Sequence, residues 1–278
     1  MNYQENGRPR VRIPPRLMIG AVIALIAVLG YFANTSVNPV TGKKQHIAIS
    51  PQQEVALGLQ SAPAMAQQFG GLSSDRQAGE RVKRIGGEIV AKLPEEATPY
   101  PFEYHLLADE RTVNAFALPG GQIFITEALY RRLESDGQLA GVLGHETGHV
   151  LGRHSAAQMA KSELTQGLVQ AVGVASSDTA SGAQNAAQIA QMVGGFINLK
   201  YGRDDEMEAD ALGLRFMYGA GYDPRAMMRV MDILKQASGG GGQPEFMSTH
   251  PDPGNRIERI KVWISEAFPG GVPQGLRP

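Results

Sequence analysis

The sequence predicts an α+β protein, mostly helical, with a small antiparallel sheet of about three strands packed against a buried helix. A stripe of apolar residues at helical spacing predicts the helix: Leu139, Val142, Leu143, Val150 and Leu151. Two β-prone runs, 113–117 and 122–126, flank Pro119-Gly120-Gly121, which is typical of a hairpin turn. Ser135 followed by Gln138 predicts a capping box at the start of the helix.

The composition limits the domain count and the kinds of partner. A chain of 278 residues, 42% of them hydrophobic, can bury one sizeable core, which we expect over residues 47–268, with a flexible tail at 269–278. The net charge of −1 provides no basic field, so we expect no nucleic-acid partner. The absence of cysteine from the sequence excludes disulfides, thiolate ligands and lipoprotein anchoring.

The N-terminal segment predicts a membrane anchor. Residues 17–33 carry no charge and are just long enough to span a bilayer, and four arginines precede them. The positive-inside rule then places residues 1–16 in the cytoplasm and the rest beyond the inner membrane, in the periplasm of a bacterium, after a linker at 34–46. The alternative is a cleaved signal peptide, although no clear cleavage site follows the apolar run.

Residues 145–149 read His-Glu-Thr-Gly-His, an HExxH motif on the buried helix. A helix places residues four apart on one face, so His145 and His149 can direct imidazole nitrogens at one metal ion. Glu146 points about 100° around the helix. That offset keeps its carboxylate off the metal, where it can act as a general base on water. The alternative, two core histidines without metal, would require other buried partners.

A catalytic zinc ion needs a third protein ligand. A helix predicted from Tyr201 to Tyr218 carries Glu206 and Asp210 on one face. Glu206 can bind the metal, while Asp210, one turn later, can orient a ligand by hydrogen bonding. The alternative is a solvated acidic face, because further carboxylates crowd the same stretch: Asp204, Asp205 and Glu208.

His154 is a weaker candidate for the third ligand. It lies one residue before the position that metzincin spacing requires, and it points about 140° away from His149 on a continuous helix. We therefore expect His154 to support the ligands from behind or to lie at the end of the helix.

Four motifs in order make the chain resemble the HExxH metallopeptidase family of the CAAX prenyl proteases, the HtpX and BepA-like peptidases and the mitochondrial inner-membrane quality-control peptidase. The resemblance covers about 47–268. Its motifs are Asn114 to Gly121, the pentad with Gly152-Arg153-His154, Glu206 to Asp210, and His250-Pro251 with Arg256. It implies a zincin-like fold of the gluzincin type, with one zinc ion per chain.

The resemblance also implies roles for the other motifs. Asn114, Ala115 and Phe116 would form a strand along the cleft, to which an extended substrate adds by main-chain pairing. His250 and Arg256 would stabilise the oxyanion of the tetrahedral intermediate. Because the glycine tract 239–242 precedes His250, that histidine could instead move onto the zinc ion as a fourth ligand and keep the enzyme latent.

The function that these observations predict is a membrane-anchored zinc metalloendopeptidase acting on unfolded or misassembled envelope proteins. The multi-spanning members of the family carry several membrane helices, whereas the later apolar stretches here, 164–175 and 186–199, are too short to span. The alternative is a chaperone-like binding protein whose zinc site is blocked or structural. An intact Glu146 argues against it, because a structural site has no use for a carboxylate beside the ligands.

Overall fold

A computed structural model describes residues 14–94, 99–176, 200–237, 245–251 and 255–278. The helices of these residues are α1 (Pro15–Ala33), α2 (Pro51–Gln68), α3 (Arg76–Val90), α4 (Glu127–Tyr130), α5 (Asp136–Leu151), α6 (His154–Ser176), α7 (Arg203–Gly219), α8 (Ala226–Ala237), α9 (Glu245–Thr249) and α10 (Arg256–Ala267). The strands are β1 (Thr35–Val37), β2 (Lys44–His46), β3 (Glu103–Leu107), β4 (Ala115–Ala117) and β5 (Gln122–Thr126).

The predicted fold class, α+β and mostly helical with a small sheet, is confirmed. The hairpin is also confirmed: β4 pairs antiparallel with β5, and Ala117 lies opposite Ile123. One detail differs, because the strand order is β3-β5-β4 and β3 runs parallel to β5. The chain between β3 and β4 crosses from one side of β5 to the other, so the sheet is mixed rather than wholly antiparallel. Every residue of β5, the central strand, is buried.

Helix α5 is the centre of the core, with residues 137–151 all buried. Ser135 caps it, since its Oγ accepts a hydrogen bond from the Gln138 amide at 3.2 Å. The Gln138 side chain also accepts a hydrogen bond from a backbone amide, but from that of Glu134, at 2.7 Å, one residue before the Ser135 amide that a capping box uses.

Glycines let α5 and α7 pack with their backbones in contact. A Cβ atom on Gly148 would lie 2.8 Å from the carbonyl oxygen of Ala209, and one on Gly144 would lie 3.1 Å from that of Gly213. Side chains at these positions would separate the helices. The glycine inside the HExxH motif therefore brings the two histidines of α5 within reach of the carboxylates of α7.

Two segments expected to be irregular are ordered by contacts with α5. Residues 34–46, predicted to be a linker, contain the β1–β2 hairpin. Within it, Nδ2 of Asn38 donates to the carbonyl oxygen of Leu151 at 2.8 Å, so the hairpin satisfies a backbone group that the end of a helix leaves open. The tail at 269–278 also docks, since the Gly137 amide donates to the carbonyl oxygen of Pro278 at 2.7 Å.

Among the described residues, α1 alone is long and apolar enough to cross a membrane, judged by length and composition. It has 19 residues and a mean hydropathy of 2.1 over its most apolar window. Its bounds agree with the apolar run predicted at 17–33. The basic residues before it, 1–13, lie outside the described residues.

Candidate metal centre

Four buried side chains, from α5, from α7 and from the residue that follows α9, converge at one point: His145, His149, Glu206 and His250. The two histidines of α5 lie one turn apart, with their Nε2 atoms 3.0 Å from each other. Glu206, in the first turn of α7, places Oε1 3.4 Å from Nε2 of His149. His250 directly follows α9, and its Nδ1 lies 3.3 Å from Nε2 of His145 and 3.0 Å from Oε1 of Glu206.

The spacing of these donors fits a tetrahedral metal ion. Ligand atoms that each lie about 2.0–2.1 Å from a tetrahedral ion lie about 3.3 Å from one another. The four distances given above span 3.0 to 3.4 Å. Three imidazole nitrogens and one carboxylate oxygen also match the ligand preference of zinc. The residues therefore fit a resident metal ion, and His250 completes the set of four.

Asp210 and Arg256 support the donors from behind. Oδ1 of Asp210 lies 2.9 Å from Nδ1 of His145, the ring nitrogen opposite the converging Nε2. Arg256 donates to both carboxylate oxygens of Asp210, at 2.6 and 2.8 Å, and its Nη1 lies 3.1 Å from Oε2 of Glu206. Arg256 thus contacts the carboxylates of Asp210 and Glu206, while the oxyanion role that the resemblance implies stays a prediction.

His154 supports the other histidine of the motif. Its Nδ1 lies 2.9 Å from Nδ1 of His149, and its Nε2 lies 2.9 Å from Oε2 of Glu208. Glu208 also pairs with Lys43 at 3.0 Å. The chain turns sharply at Arg153, which has a positive φ of 55°. That turn swings His154 back toward His149, which a continuous helix would not allow.

Glu146 is buried against the site, and no described group forms a hydrogen bond with either of its carboxylate oxygens. Its Oε1 lies 3.7 Å from Nε2 of His250. Burial raises the pKa of Glu146, because the charged form loses its hydration. A carboxylate held this way binds protons readily, which a general base requires.

The pKa values of two ligand side chains, His149 and Glu206, are both lowered, but by different causes. Burial lowers the pKa of His149 well below its ordinary value, which leaves the ring neutral and able to bind a metal. Burial alone would raise the pKa of Glu206, but the neighbouring histidines outweigh it, His250 first, and the pKa falls well below the usual range. Glu206 is therefore ionised, as a metal ligand must be.

The profile of peptidase family M48 matches residues 76–264. The chain belongs to peptidase family M48. The match lies inside the domain expected at 47–268 and includes both the HExxH motif and Glu206.

Individual relatives agree with this classification. The chain is 30% identical to the mitochondrial metalloendopeptidase OMA1 of Schizosaccharomyces pombe over 254 residues, which cover 90% of this chain and 72% of that protein. It is 29% identical to the beta-barrel assembly-enhancing protease of Yersinia pestis over 262 residues, which cover 91% of this chain and 52% of that protein. It is 30% identical to the beta-barrel assembly-enhancing protease of Escherichia coli over 192 residues, which cover 67% of this chain and 39% of that protein. The chain thus spans about half or less of these bacterial relatives. The predicted class, a metalloendopeptidase, is confirmed.

The strand β4 of this M48 chain contains two of the predicted substrate-binding residues and forms an edge of the sheet. Toward β5, the carbonyl of Asn114 accepts from Thr126, and the amide of Leu118 donates to Gln122. Antiparallel pairing alternates, so the main-chain groups of Ala115 and Ala117 point away from β5. The ring of Phe116 stacks on Phe124 at 5.0 Å, which anchors the strand to the sheet.

Two aromatic residues near the donors were not predicted. Tyr201 stacks on the ring of His149 at 3.9 Å, and Phe246 stacks on that of His250 at 4.4 Å. Each lies close in sequence to a motif, but an isolated aromatic residue gives no signal that separates it from an ordinary core residue. Glu208 was missed for another reason, because its place among several carboxylates indicated a solvated face.

Proposed function

We propose that this chain is a membrane-anchored zinc endopeptidase that hydrolyses unfolded or misassembled proteins of the bacterial envelope. The observation that supports it most is the buried carboxylate of Glu146, to which no described group donates a hydrogen bond, beside the donors His145, His149 and Glu206. A structural metal site does not need this costly buried group. A hydrolytic site does, because something must accept a proton from water.

When bound, zinc would supply Lewis acidity, lowering the pKa of water toward about 7 and polarising the scissile carbonyl. Glu146 then takes the proton of the attacking water on a carboxylate oxygen and returns it to the nitrogen of the leaving amine. Asp210 keeps the Nδ1 proton of His145 in place, so that Nε2 presents its lone pair to the metal. Arg256 fixes Asp210 by two hydrogen bonds and offsets the charge of Glu206.

The position of His250 supports the second of the two roles left open by the sequence. Its Nδ1 lies among the metal donors, and a set of four protein ligands leaves no position for water. We therefore propose that His250 is a latch that must leave the donors before substrate is cleaved. The glycine tract at 239–242, on which its mobility was predicted, lies outside the described residues.

Three observations support the envelope location and the type of substrate. Helix α1 has the length and composition of a membrane span. Relatives in two bacteria are named beta-barrel assembly-enhancing proteases. The main-chain groups of Ala115 and Ala117 face away from β5, and because both residues are buried in this conformation, a substrate can pair with them only after the covering segment moves. Main-chain pairing does not depend on side chains, which suits substrates that have lost their fold. The relatives named as proteases do not favour the alternative of a binding protein with a blocked site.

The full chain in detergent, incubated with unfolded casein, tests the activity. Cleavage should stop when a chelator is added and return when zinc is supplied. Glu146→Gln should lose activity by about 10²–10⁴-fold, the typical contribution of a general base, and still bind one zinc ion per chain. Glu134→Gln, an exposed position just before the same helix, is the control. Undiminished cleavage by Glu146→Gln would refute the assignment.

Spheroplasts of cells that express the full chain test the location. Protease added outside should digest the domain. Protection of the domain would contradict the topology, and release of the domain by osmotic shock alone would show that residues 17–33 are a cleaved signal.

A further inference from the structure

Helix α6 begins at the metal centre and then runs back along the membrane-anchor helix. A Cβ atom on Gly20 of α1 would lie 2.7 Å from the carbonyl oxygen of Ala171, and one on Gly167 would lie 2.7 Å from Cβ of Ala27. The later residue of α6 thus meets the earlier residue of α1, so the helices are antiparallel. Small residues at such contacts are typical of helix pairs inside membranes.

The charged residues of α6 end at the level where this helix contacts the C-terminal end of α1. Lys161 and Glu163 are its last charged residues, and 164–176 carry none. Glu163 lines the same crevice as Tyr31, near the end of α1. The ring of Tyr31 stacks on His46 at 4.4 Å. Tyrosine is enriched where a membrane-spanning helix crosses into water, so this level corresponds to a bilayer surface.

Below that level, α6 exposes apolar side chains beside those of α1. Val169 is 67% exposed and Leu168 38% exposed, and in α1 Leu25 and Ile26 are 56% and 65% exposed. The exposed apolar surface therefore continues from one helix to the other. An apolar surface of this kind is costly in water and stable in lipid.

We infer that the C-terminal half of α6, from Leu164 onward, lies in the lipid bilayer beside α1. This inference rests on the proposed membrane anchor. At 1.5 Å per residue, the 13 uncharged residues reach about 20 Å along the anchor, into a hydrocarbon layer about 30 Å thick. The half-helix enters the bilayer without crossing it.

This arrangement has a consequence for the active site. His154, which supports the metal ligand His149, begins α6, and Leu164 lies ten residues later. The metal centre would therefore lie about 15 Å from the hydrocarbon layer along the helix axis. Substrates would be cleaved close to the membrane surface, which favours chains that are attached to it or have failed to insert.

The chain has no native cysteine, so single cysteine variants can carry a fluorescent label at one chosen place. Val169→Cys reports on α6, Leu25→Cys on the anchor, and Ser162→Cys, exposed on α6 before the uncharged run, is the control. Each full-length variant is labelled with an NBD dye in detergent. It is then reconstituted into vesicles of phosphatidylethanolamine and phosphatidylglycerol, some of whose acyl chains carry a doxyl quencher. Zinc content checks that each variant is folded.

We expect strong quenching at positions 169 and 25 and little at position 162. Quenching at 25 without quenching at 169 would overturn the inference and leave the anchor intact. Absence of quenching at both would overturn the inference and the anchor, whereas cleavage of casein, measured separately, would still test the peptidase. Oxidation of unlabelled Val169→Cys to a disulfide-linked dimer, with no quenching at 169, would show that a second copy covers this face, and would also overturn the inference.

Discussion

Nδ1 of His250 lies 3.0 Å from Oε1 of Glu206, among the donors that fit one metal ion. The ring of His250 stacks on Phe246 at 4.4 Å, and its Nε2 faces Glu146. With a metal ion bound, His250 in this position would occupy the site that water needs, beside Glu146, the proposed general base. The proposal that His250 is a latch rests on this geometry.

We predict that His250→Ala cleaves unfolded casein faster than the parent enzyme and binds zinc more weakly. A closed form that holds about nine-tenths of the molecules would reduce activity about tenfold, so the loss of the His250 side chain should raise the cleavage rate about tenfold. Zinc affinity should fall because a ligand is lost. A steady-state assay at saturating zinc, together with a zinc titration, measures both. A loss of activity of about 10²–10³-fold with unchanged zinc affinity would instead identify His250 as an oxyanion donor.

We predict that Arg256→Ala weakens zinc binding by about 10–100-fold, the usual effect of losing a residue that orients the ligands. Activity should fall at limiting zinc and largely recover at saturating zinc. Arg256→Lys should show a smaller loss, since it keeps the charge without the two-point contact to Asp210. Arg259→Ala, exposed on the same helix, should match the parent. Loss of activity at saturating zinc, with normal affinity, would place Arg256 at the reacting atoms.

Much of this site could be predicted from the sequence because its geometry is local. The four-residue spacing of His145 and His149, and that of Glu206 and Asp210, fixes a shared helix face whatever the rest of the fold. The hairpin of β4 and β5 is local as well, since the turn residues and the strands lie within 14 residues. The N-terminal apolar helix could be predicted from its length and its lack of charge alone.

The remaining features depend on contacts between distant segments. Nothing in the local sequence indicates that Arg256 pairs with Asp210, 46 positions earlier, or that the segment 34–46 would fold against the end of α5. The positive φ of Arg153 redirects His154, and a non-glycine residue gives no sequence signal for that conformation. Whether His250 lies on or off the metal is set by the conformation of the chain, which its spacing from Arg256 does not determine.

We predict that Ala117→Pro weakens substrate binding without loss of zinc. The amide of Ala117 points away from β5, so proline removes only a hydrogen bond that an incoming chain would make, and edge strands tolerate proline at such positions. KM for an unfolded substrate should rise about tenfold, roughly the value of one main-chain hydrogen bond. Ala117→Gly keeps the amide and is the control. An unchanged KM in Ala117→Pro with normal zinc content would argue against pairing along β4.

The C-terminal segment docks near the start of α5 through Pro278 and also holds Arg277 against Tyr222 and Glu88. The guanidinium of Arg277 lies 3.9 Å from the ring centre of Tyr222, donates to the carbonyl oxygen of Ala220 at 2.7 Å and pairs with Glu88 at 2.7 Å. Burial alone would raise the pKa of Glu88, but hydrogen bonds from Arg277 and Tyr222 outweigh it, so the pKa lies below its ordinary value. A carboxyl with a lowered pKa stabilises the fold above its unfolded pKa of about 4.3 and loses that contribution as the pH falls further.

Arg277→Ala should therefore lower the free energy of unfolding by about 1 kcal/mol at pH 7, seen as a drop in Tm of about 2–4 °C. The difference from the parent should shrink as Tm is measured at successively lower pH below about 4.3, because protonation of Glu88 then progressively removes the partner of Arg277. Arg229→Ala, which removes an exposed pair with Asp232, should cost about 0–1 kcal/mol. An Arg277→Ala effect that is no larger than the one measured for Arg229→Ala, or that does not change with pH, would show that Arg277 does not specifically fix the C-terminal segment to Glu88 of α3.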